Sequence, residues 1–415
     1  VVGLNVSLFI AKRLIKHQSF VNNARKQGFS LLIVRLGIAA VSVSVTVMLL
    51  AVAISKGYQK EVRSKLTGFN AHFQLNNYDL NNSLQALPIT RDTLFESIIK
   101  KQKHIAHIQP FVTKPGIIKT HTDFEGIVLK GINHQFDPTF ITKHLVEGKF
   151  FDYQNETSTN EVVISENTAR KLNLKLNSDL LIYFIQEPPR VRKLKITGIF
   201  NTGLSELDEL YAFTGMPMLQ RLEGFKTNEI TGYEVFTHDF YEMPDALDIL
   251  KKYTPLEYGI HPINEVFPQL FDWLELLDTN VYVIIALMIL VAAINMITAL
   301  LILIVERSNM IGLLKALGST NKQIQRIFIY LAAAIIITGL AIGNIVGISI
   351  IYIQKVTCFA KLNPADYYLS EVPVHIKIYD IVWINLLAFV LCLLVLLLPV
   401  KLVARISPAK SIKFA

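Results

Sequence analysis

Four stretches of the chain, residues 36–54, 281–305, 327–353 and 381–400, are apolar for close to the ~20 residues that an α-helix needs to cross a bilayer. In hydrocarbon every backbone N–H and C=O must find its partner inside the segment, so each run is expected to be a spanning helix. The first two runs are separated by about 225 residues of mixed sequence that hold no further spanning run, and a folded, water-exposed domain is expected there. The chain is 52% hydrophobic, above the usual soluble range. No secretory signal peptide is expected, because the first apolar run starts late, is long and has no small-residue cleavage site after it. Of the two cysteines, Cys392 lies mid-span and Cys358 at a span's outer end, so no disulfide is expected.

Lys and Arg set the orientation. Residues 1–35 carry Lys12, Arg13, Lys16, Arg25, Lys26 and Arg35 with no acid. The stretch 306–327 carries Arg307, Lys315, Lys322 and Arg326 against Glu306, and the tail carries Lys401, Arg405, Lys410 and Lys413. The formal net charge is +8, less than these stretches supply, so the remainder is net acidic. The basic stretches alternate with the runs as a four-span topology with both ends in the cytoplasm requires, which puts the large domain outside. Topology thus accounts for the basicity, and nucleic acid is not an expected partner.

The expected order is a cytoplasmic amphipathic helix (1–30), a first span (31–55), an outer domain (56–278), a second span (279–305), a cytoplasmic link (306–326), a third span (327–354), an outer loop (355–380), a fourth span (381–400) and a tail (401–415). In "LNVSLFIAKRLIKHQ" (4–18), Leu4, Leu8, Ile10, Ala11, Leu14 and Ile15 fall largely on one helical face, as on a membrane surface or against protein. In the outer domain "FNAHFQLNNY", "HIAHIQPFVTKPGIIKT" and "FEGIVLKGI" read as strands, and "RDTLFESIIKKQ" and "PDALDILKKY" as helices. "EVVISENTARKLNL" reads strand, cap and helix with Ser165 as N-cap, and 179–200 reads as a hairpin around "QEPP". A strand-rich insert at about 140–225 divides βαβ-like material at about 56–139 and 226–278. "EVFPQLFDWLELLDTN" (265–280) is an amphipathic helix entering the second span.

Chemistry-bearing motifs are few. No G-x-x-x-x-G-K-[ST] is present, so the chain has no P-loop to hold ATP phosphates. There is no H-E-x-x-H or G-x-S-x-G, and His104 and His107 would face opposite sides of a strand. No catalytic residue, metal site or cofactor is assigned, and a non-catalytic chain is expected. Gly339, Gly343 and Gly347 repeat every four residues, a strip that lets another helix approach closely. Asn295, Asn344 and Asn385 are intramembrane polar residues suited to bonds between helices, and no charge lies mid-span, which argues against an ion-coupled carrier. In the cytoplasmic link Ile311, Leu314, Lys315 and Gly318 share a helical face. A turn follows at 318–320, and Asn321 or Ser319 is placed to cap the next helix. The link suits either force transfer from a soluble partner or a plain helical hairpin on the membrane.

"ERSNMIGLLKALGSTNKQIQRIF" closely resembles the coupling segment of the FtsX/MacB-like permeases, E-R-x-x-x-I-G-x-L-K-A-L-G-A-x-x-x-x-I, with Ser319 in place of the Ala. "LFIAKRL", "AISKGYQKEVRSKLTGFNAHFQL", "IVLKGI", "LVEGKF", "EVVISENTARKLNLKLNSDLLIYF", "GIFNTGLSELDELYAF", "AAINMITALLILIVERSNMIGLLKALG" and "RISPAKSIKF" narrow the resemblance to lipoprotein-releasing permeases of the LolC/LolE type. It implies a membrane α-helical fold of four transmembrane helices with a large extracytoplasmic α+β domain, the MacB-like (type VII) ABC permease. The outer domain would have a Porter-like part split by a Sabre-like part.

The same resemblance implies a permease subunit in the bacterial inner membrane, paired with a second permease subunit in a homo- or heterodimer and with two copies of a separate ABC ATPase that binds the ATP and Mg. The complex would extract acylated lipoproteins and pass them to a periplasmic carrier. Glu306, Arg307, Ile311, Leu314, Lys315 and Gly318 would contact the ATPase. Val43, Val47, Leu50, Ile54, Ile284, Leu287 and Met288 would line a lipid-like cavity for acyl chains. Carrier-recruiting members have a long hairpin where this chain has the short, basic "FIQEPPRVRKL", whose Arg190, Arg192 and Lys193 are candidates for docking an acidic carrier. The alternative is an FtsX-like mechanotransmission permease that moves no cargo and activates a periplasmic partner such as a cell-wall hydrolase. It predicts a small outer domain. A MacB-like efflux permease would usually carry a fused ATPase.

Overall fold

The structure is a computed structural model that describes Phe9 and residues 28–78, 87–120, 123–152, 160–363 and 367–402. The amphipathic reading of 4–18 and most of the basic tail lie outside these residues. The chain divides into a membrane unit, Val1–Gln59, Trp273–Ala360 and Val372–Ala415, and an outer unit, Lys60–Asp272 with Lys361–Glu371.

Among the described residues four helices are long and apolar enough to cross a membrane. Span 1 is Gly28–Asn70, span 2 Pro268–Glu306, span 3 Asn321–Thr357 and span 4 Ile378–Leu402. Spans 1 and 2 extend well past their apolar runs. On span 1 the extension keeps a helical period of buried residues at Val62, Leu66 and Phe69, so the helix continues where the hydrocarbon run has ended. Tyr282, Tyr352, Tyr379 and Trp383 are exposed near the outer ends of spans 2, 3 and 4, as residues at a membrane–water interface are.

In the membrane unit span 3 lays its glycine strip on span 1. A side chain at Gly339 would meet Val41, one at Gly343 would meet Ser42 and Val45, and one at Gly347 would meet Leu49. The Thr46 hydroxyl donates to the Gly343 carbonyl at 3.1 Å, a bond that requires this close approach. Spans 3 and 4 are joined by Asn344 and Asn385, whose amides exchange hydrogen bonds of 2.7 and 2.9 Å. Lys56 of span 1 pairs with Asp380 of span 4 at 2.5 Å, and the His375 N–H donates to the Ala53 carbonyl at 2.9 Å. Cys358 and Cys392 form no disulfide.

The outer unit is built on a ten-stranded sheet. Its strands are β1 (Phe73–Asn77), β3 (Ile105–Lys119), β4 (Phe124–Ile132), β5 (Leu145–Gly148), β6 (Glu161–Ser165), β7 (Asp179–Phe184), β8 (Arg190–Phe200), β9 (Tyr211–Gly215), β11 (Gly232–Thr237) and β12 (Tyr258–Pro262). The short strands β2 (Ile89–Thr90) and β10 (Glu229–Ile230) pair apart. The order is β12-β1-β11-β3-β4-β9-β6-β8-β5, with β7 against β3 and β8. The ladders are antiparallel except β4 with β9 and β6 with β8.

The long β3 joins the two parts. Its first half pairs with β11, and its second half pairs with β4 and β7. β4 in turn pairs with β9, so this second half of β3 and all of β4 lie in one sheet with strands of the 140–225 stretch. Ser165 caps its helix by accepting from the Thr168 N–H at 3.1 Å. Lys130 and Glu234, both buried, form an ion pair. Gln109 donates to the same carboxylate at 2.8 Å, and Lys130 donates to the Phe69 carbonyl at 3.3 Å. With these partners the pair avoids the several kcal/mol that an isolated buried charge costs.

Candidate functional site

The link between spans 2 and 3 is a short helix, Ser308–Ala316. It ends at Gly318, whose φ of +91° suits a residue without a side chain. The next helix is capped by Thr320, and not by Asn321 or Ser319. The Thr320 hydroxyl accepts from the Gln323 N–H at 3.3 Å, and the Gln323 side chain accepts from the Thr320 N–H at 2.8 Å. Only Thr320 stands three residues before a glutamine that completes this reciprocal box.

The linking helix presents a different face from the one expected. Ile311 is 0% exposed and packs in the core of the membrane unit, with Leu314 partly buried beside it. Ile311 is thus enclosed within the unit, while Leu314 keeps part of its side chain exposed. Arg307 and Lys315 are half-buried, and Glu306 and Gly318 are exposed. The exposed edge is Asn309, Leu313, Ala316 and Leu317, with Leu313 60% and Leu317 75% exposed. The helix carries two apolar ridges, Ile311–Leu314 and Leu313–Leu317, and periodicity alone does not say which one the spans take. Two exposed leucines on the helix that links spans 2 and 3 form the kind of apolar surface that marks an interaction site.

The expected cavity residues divide. Val43, Ile54 and Leu287 point outward from the membrane unit. Val47 and Ile284 are half-buried, and Leu50 and Met288 pack partly on the unit's own core. Asn295 is exposed on span 2.

In the outer unit the basic hairpin is largely self-occupied. Lys193 pairs with Asp179 at 2.8 Å, the Arg190 guanidinium donates to the Arg221 carbonyl at 3.3 Å, and Arg192 donates to the Val191 carbonyl at 3.1 Å. The exposed surface beside them is apolar, made of Leu181, Tyr183, Ile185 and Val191. His104 and His107 serve separate partners: His104 lies 3.3 Å from Glu242, and His107 bonds the Gln135 carbonyl at 2.8 Å.

A second arrangement was not legible beforehand. In "NTGLSELDEL" the buried Asp208 carboxyl accepts from the Thr202 N–H (3.0 Å), the Thr202 hydroxyl (2.6 Å) and the Gly203 N–H (3.2 Å). Burial pushes Asp208 up to about 6, against these bonds and the nearby Lys65 charge, which pull it down. The Lys65 ammonium donates to the Thr202 carbonyl at 2.6 Å and to the Tyr368 carbonyl at 3.0 Å. Three distant parts of the chain therefore meet at one amine. An acid at the start of a short helix reads as ordinary, and the only available signal was the turn-forming Asn-Thr-Gly just before it.

The FtsX-like permease C-terminal family matches residues 282–408, and the MacB-like periplasmic core domain family matches residues 36–238. The chain is 21% identical to the lipoprotein-releasing system transmembrane protein LolC of Xylella fastidiosa, over 95% of this chain and 97% of that protein. It is 21% identical to the corresponding LolE of Haemophilus influenzae, over 98% of this chain and 99% of that protein. The periplasmic region of MacB from Actinobacillus actinomycetemcomitans aligns with 49% of this chain and 95% of its own length, at 14% identity and a TM-score of 0.35. Two family matches along the spans and the outer domain, with relatives matched nearly end to end, make this chain a member of the FtsX-like permeases of the LolC/LolE type.

Proposed function

We propose that the chain is a permease subunit of an ATP-driven complex of the bacterial inner membrane that extracts acylated lipoproteins and hands them to a periplasmic carrier. The observation that carries this reading is the end-to-end likeness to proteins named for lipoprotein release. The geometry supports it. The chain has no P-loop, and its cytoplasmic link offers Leu313 and Leu317 to a separate ATPase, with Glu306, Arg307 and Gly318 beside them. Two ATPase copies would serve two permease subunits and supply the ATP and Mg chemistry. Val43, Ile54 and Leu287 are the expected cavity residues that face outward, toward a second subunit, lipid or cargo. Moving an acyl chain out of lipid costs about 0.8 kcal/mol per methylene, on the order of 10 kcal/mol per chain. That cost calls for both an energy source and an apolar path.

The test is a photo-crosslinking probe at Val43 or Leu287 in living cells, with adducts identified by mass spectrometry. Acylated lipoproteins that disappear when ATP turnover is blocked are the expected result. Adducts confined to a permease subunit or a cell-wall hydrolase would turn the reading toward signal transmission without cargo.

A further inference from the structure

A cleft in the outer unit carries a chemistry that the permease role leaves unused. It encloses about 320 Å³, which is at the small end of ligand pockets, roughly 300–1,000 Å³. The sheet sets its floor. Phe73 of β1 and Pro262 of β12 stand opposite each other in their antiparallel ladder, and both are buried, as is Met243 beside them. Phe240 and Leu247, both half-buried, form the wall. Met243 and Leu247 are four residues apart on the helix Met243–Tyr253, so they turn to the same side. Phe240 is pinned and does not fold in to fill the space: its ring stacks on Phe271 at 5.5 Å, and the Arg63 guanidinium lies over it at 4.8 Å. At the rim stand Tyr241, 74% exposed, and the exposed Glu265, whose carboxylate bonds no other described residue.

Charge selects the occupant. Residues 239–272, which supply all of the lining except Phe73, hold seven carboxylates against Lys251 and Lys252, in a chain whose net charge is +8. Arg63, the cation at this corner, is engaged by the Phe240 ring and by the Tyr241 hydroxyl at 3.5 Å, and it does not line the cavity. An anionic ligand would meet Glu265 and its acidic surroundings with like charge. A neutral apolar ligand would cover the rim while leaving the Glu265 carboxylate without a partner. A cation with an apolar body satisfies both parts, because an ammonium donates to a carboxylate and is attracted to the face of a tyrosine ring. We propose that the cleft binds a small amphipathic amine, with its apolar body on Phe73, Met243 and Leu247 and its ammonium at the Glu265 carboxylate and the Tyr241 ring. The site is independent of what the membrane unit moves.

The test uses the full-length chain in phosphatidylcholine nanodiscs and three probes that share one body: 4-phenylbutylamine, 4-phenylbutanol and 4-phenylbutyrate. Hydrogen exchange is followed as each probe is titrated. The amine is expected to slow exchange saturably over residues 239–247 and 262–266, the alcohol to do so at least fivefold more weakly, and the acid not at all. Glu265→Gln should weaken the amine about fivefold, the loss of one partly exposed ion pair. Asn264→Trp, which sets a large ring at an exposed position of the rim, should remove the protection. Both variants alter exposed residues, and unchanged exchange over β1, β3 and β11 without probe checks that the fold is kept. No saturable protection by the amine, equal protection by the alcohol or the acid, or an undiminished effect in Glu265→Gln would each overturn the proposal.

Discussion

Replacing the span 3 glycines one at a time by alanine should give unequal losses whose order follows from what each new methyl group would meet. At Gly343 it would stand 2.7 Å from the Ser42 carbonyl oxygen and 3.0 Å from the Val45 β-carbon. Backbone and a β-branched carbon cannot swing aside, so spans 1 and 3 must part, and the Thr46 bond to the Gly343 carbonyl stretches with them. Overpacking costs about 1–3 kcal/mol, loss of an interhelical polar bond adds about 0.6 kcal/mol and alanine's helix preference returns about 1 kcal/mol, so Gly343→Ala should lose about 1–3 kcal/mol. At Gly339 the methyl would meet Val41 side-chain carbons at 2.8 and 2.9 Å, and the Ile38 carbonyl at 3.1 Å, with no side-chain bond at stake. The same balance without the bond gives an expected loss of about 0–2 kcal/mol there. At Gly347 the nearest atom is the Leu49 δ-carbon at 3.0 Å, the movable end of a side chain, and the next atoms lie at 3.5 Å. Alanine's helix preference of about 1 kcal/mol over glycine should leave Gly347→Ala close to neutral. Unfolding of the detergent-solubilised chain in a denaturing detergent, followed by the fluorescence of Trp273 and Trp383, measures all three. Equal losses at Gly343 and Gly347, or a Gly343→Ala chain as stable as the parent, would refute the packing argument.

Leu313→Asp with Leu317→Asp should leave the chain folded and inserted yet reduce ATPase co-purification more than a hundredfold, at about 2 kcal/mol or more per buried leucine anchor. Unchanged co-purification would remove the linking helix from the ATPase contact. Ile311→Asp should instead deplete the chain from the membrane, because it buries a charge in the core of the membrane unit. Asp208 is raised in the fold to about 6 from its ordinary 3.8, so the folded state holds a proton that the unfolded state has released. Stability is therefore fullest below about pH 4, falls by up to about 3 kcal/mol as pH rises to about 6, and is level above that. Asp208→Asn keeps an acceptor for the two N–H donors and should flatten this slope in hydrogen exchange over residues 200–215. Asn344→Leu strands the Asn385 amide and should cost about 1 kcal/mol, most of it recovered by adding Asn385→Leu, in the same unfolding assay.

What the sequence disclosed and what it concealed follow from the range of the forces involved. Spanning helices were legible because hydrocarbon demands a long local run, and Ser165 was legible because capping is local. The course of β3 was not. Residues such as Ile108 and Val112 read alike as strand, and nothing near either says that one half pairs with β11 and the other with β4 and β7. The buried face of the linking helix was hidden for a similar reason, since Ile311 and Leu313 differ little until the spans choose between them. The close approach at Gly339, Gly343 and Gly347 was readable as a capacity, while its object, span 1 of the same chain, was not. Asp208 was opaque because its partners are mostly backbone groups, which no residue name reveals.

The outer unit takes one of its pieces, Lys361–Glu371, from beyond the third span. Lys65 finds its first carbonyl, that of Thr202, within the long segment made early. Its second, that of Tyr368, emerges only after spans 2 and 3 have been synthesised. During synthesis the domain can build its sheet but not close this corner until the chain has passed through the bilayer twice more. Completion of the outer fold therefore records correct insertion of the spans. A chain that stalls or misthreads at span 3 would be left with an unsatisfied amine and an open seam, which periplasmic proteases can find.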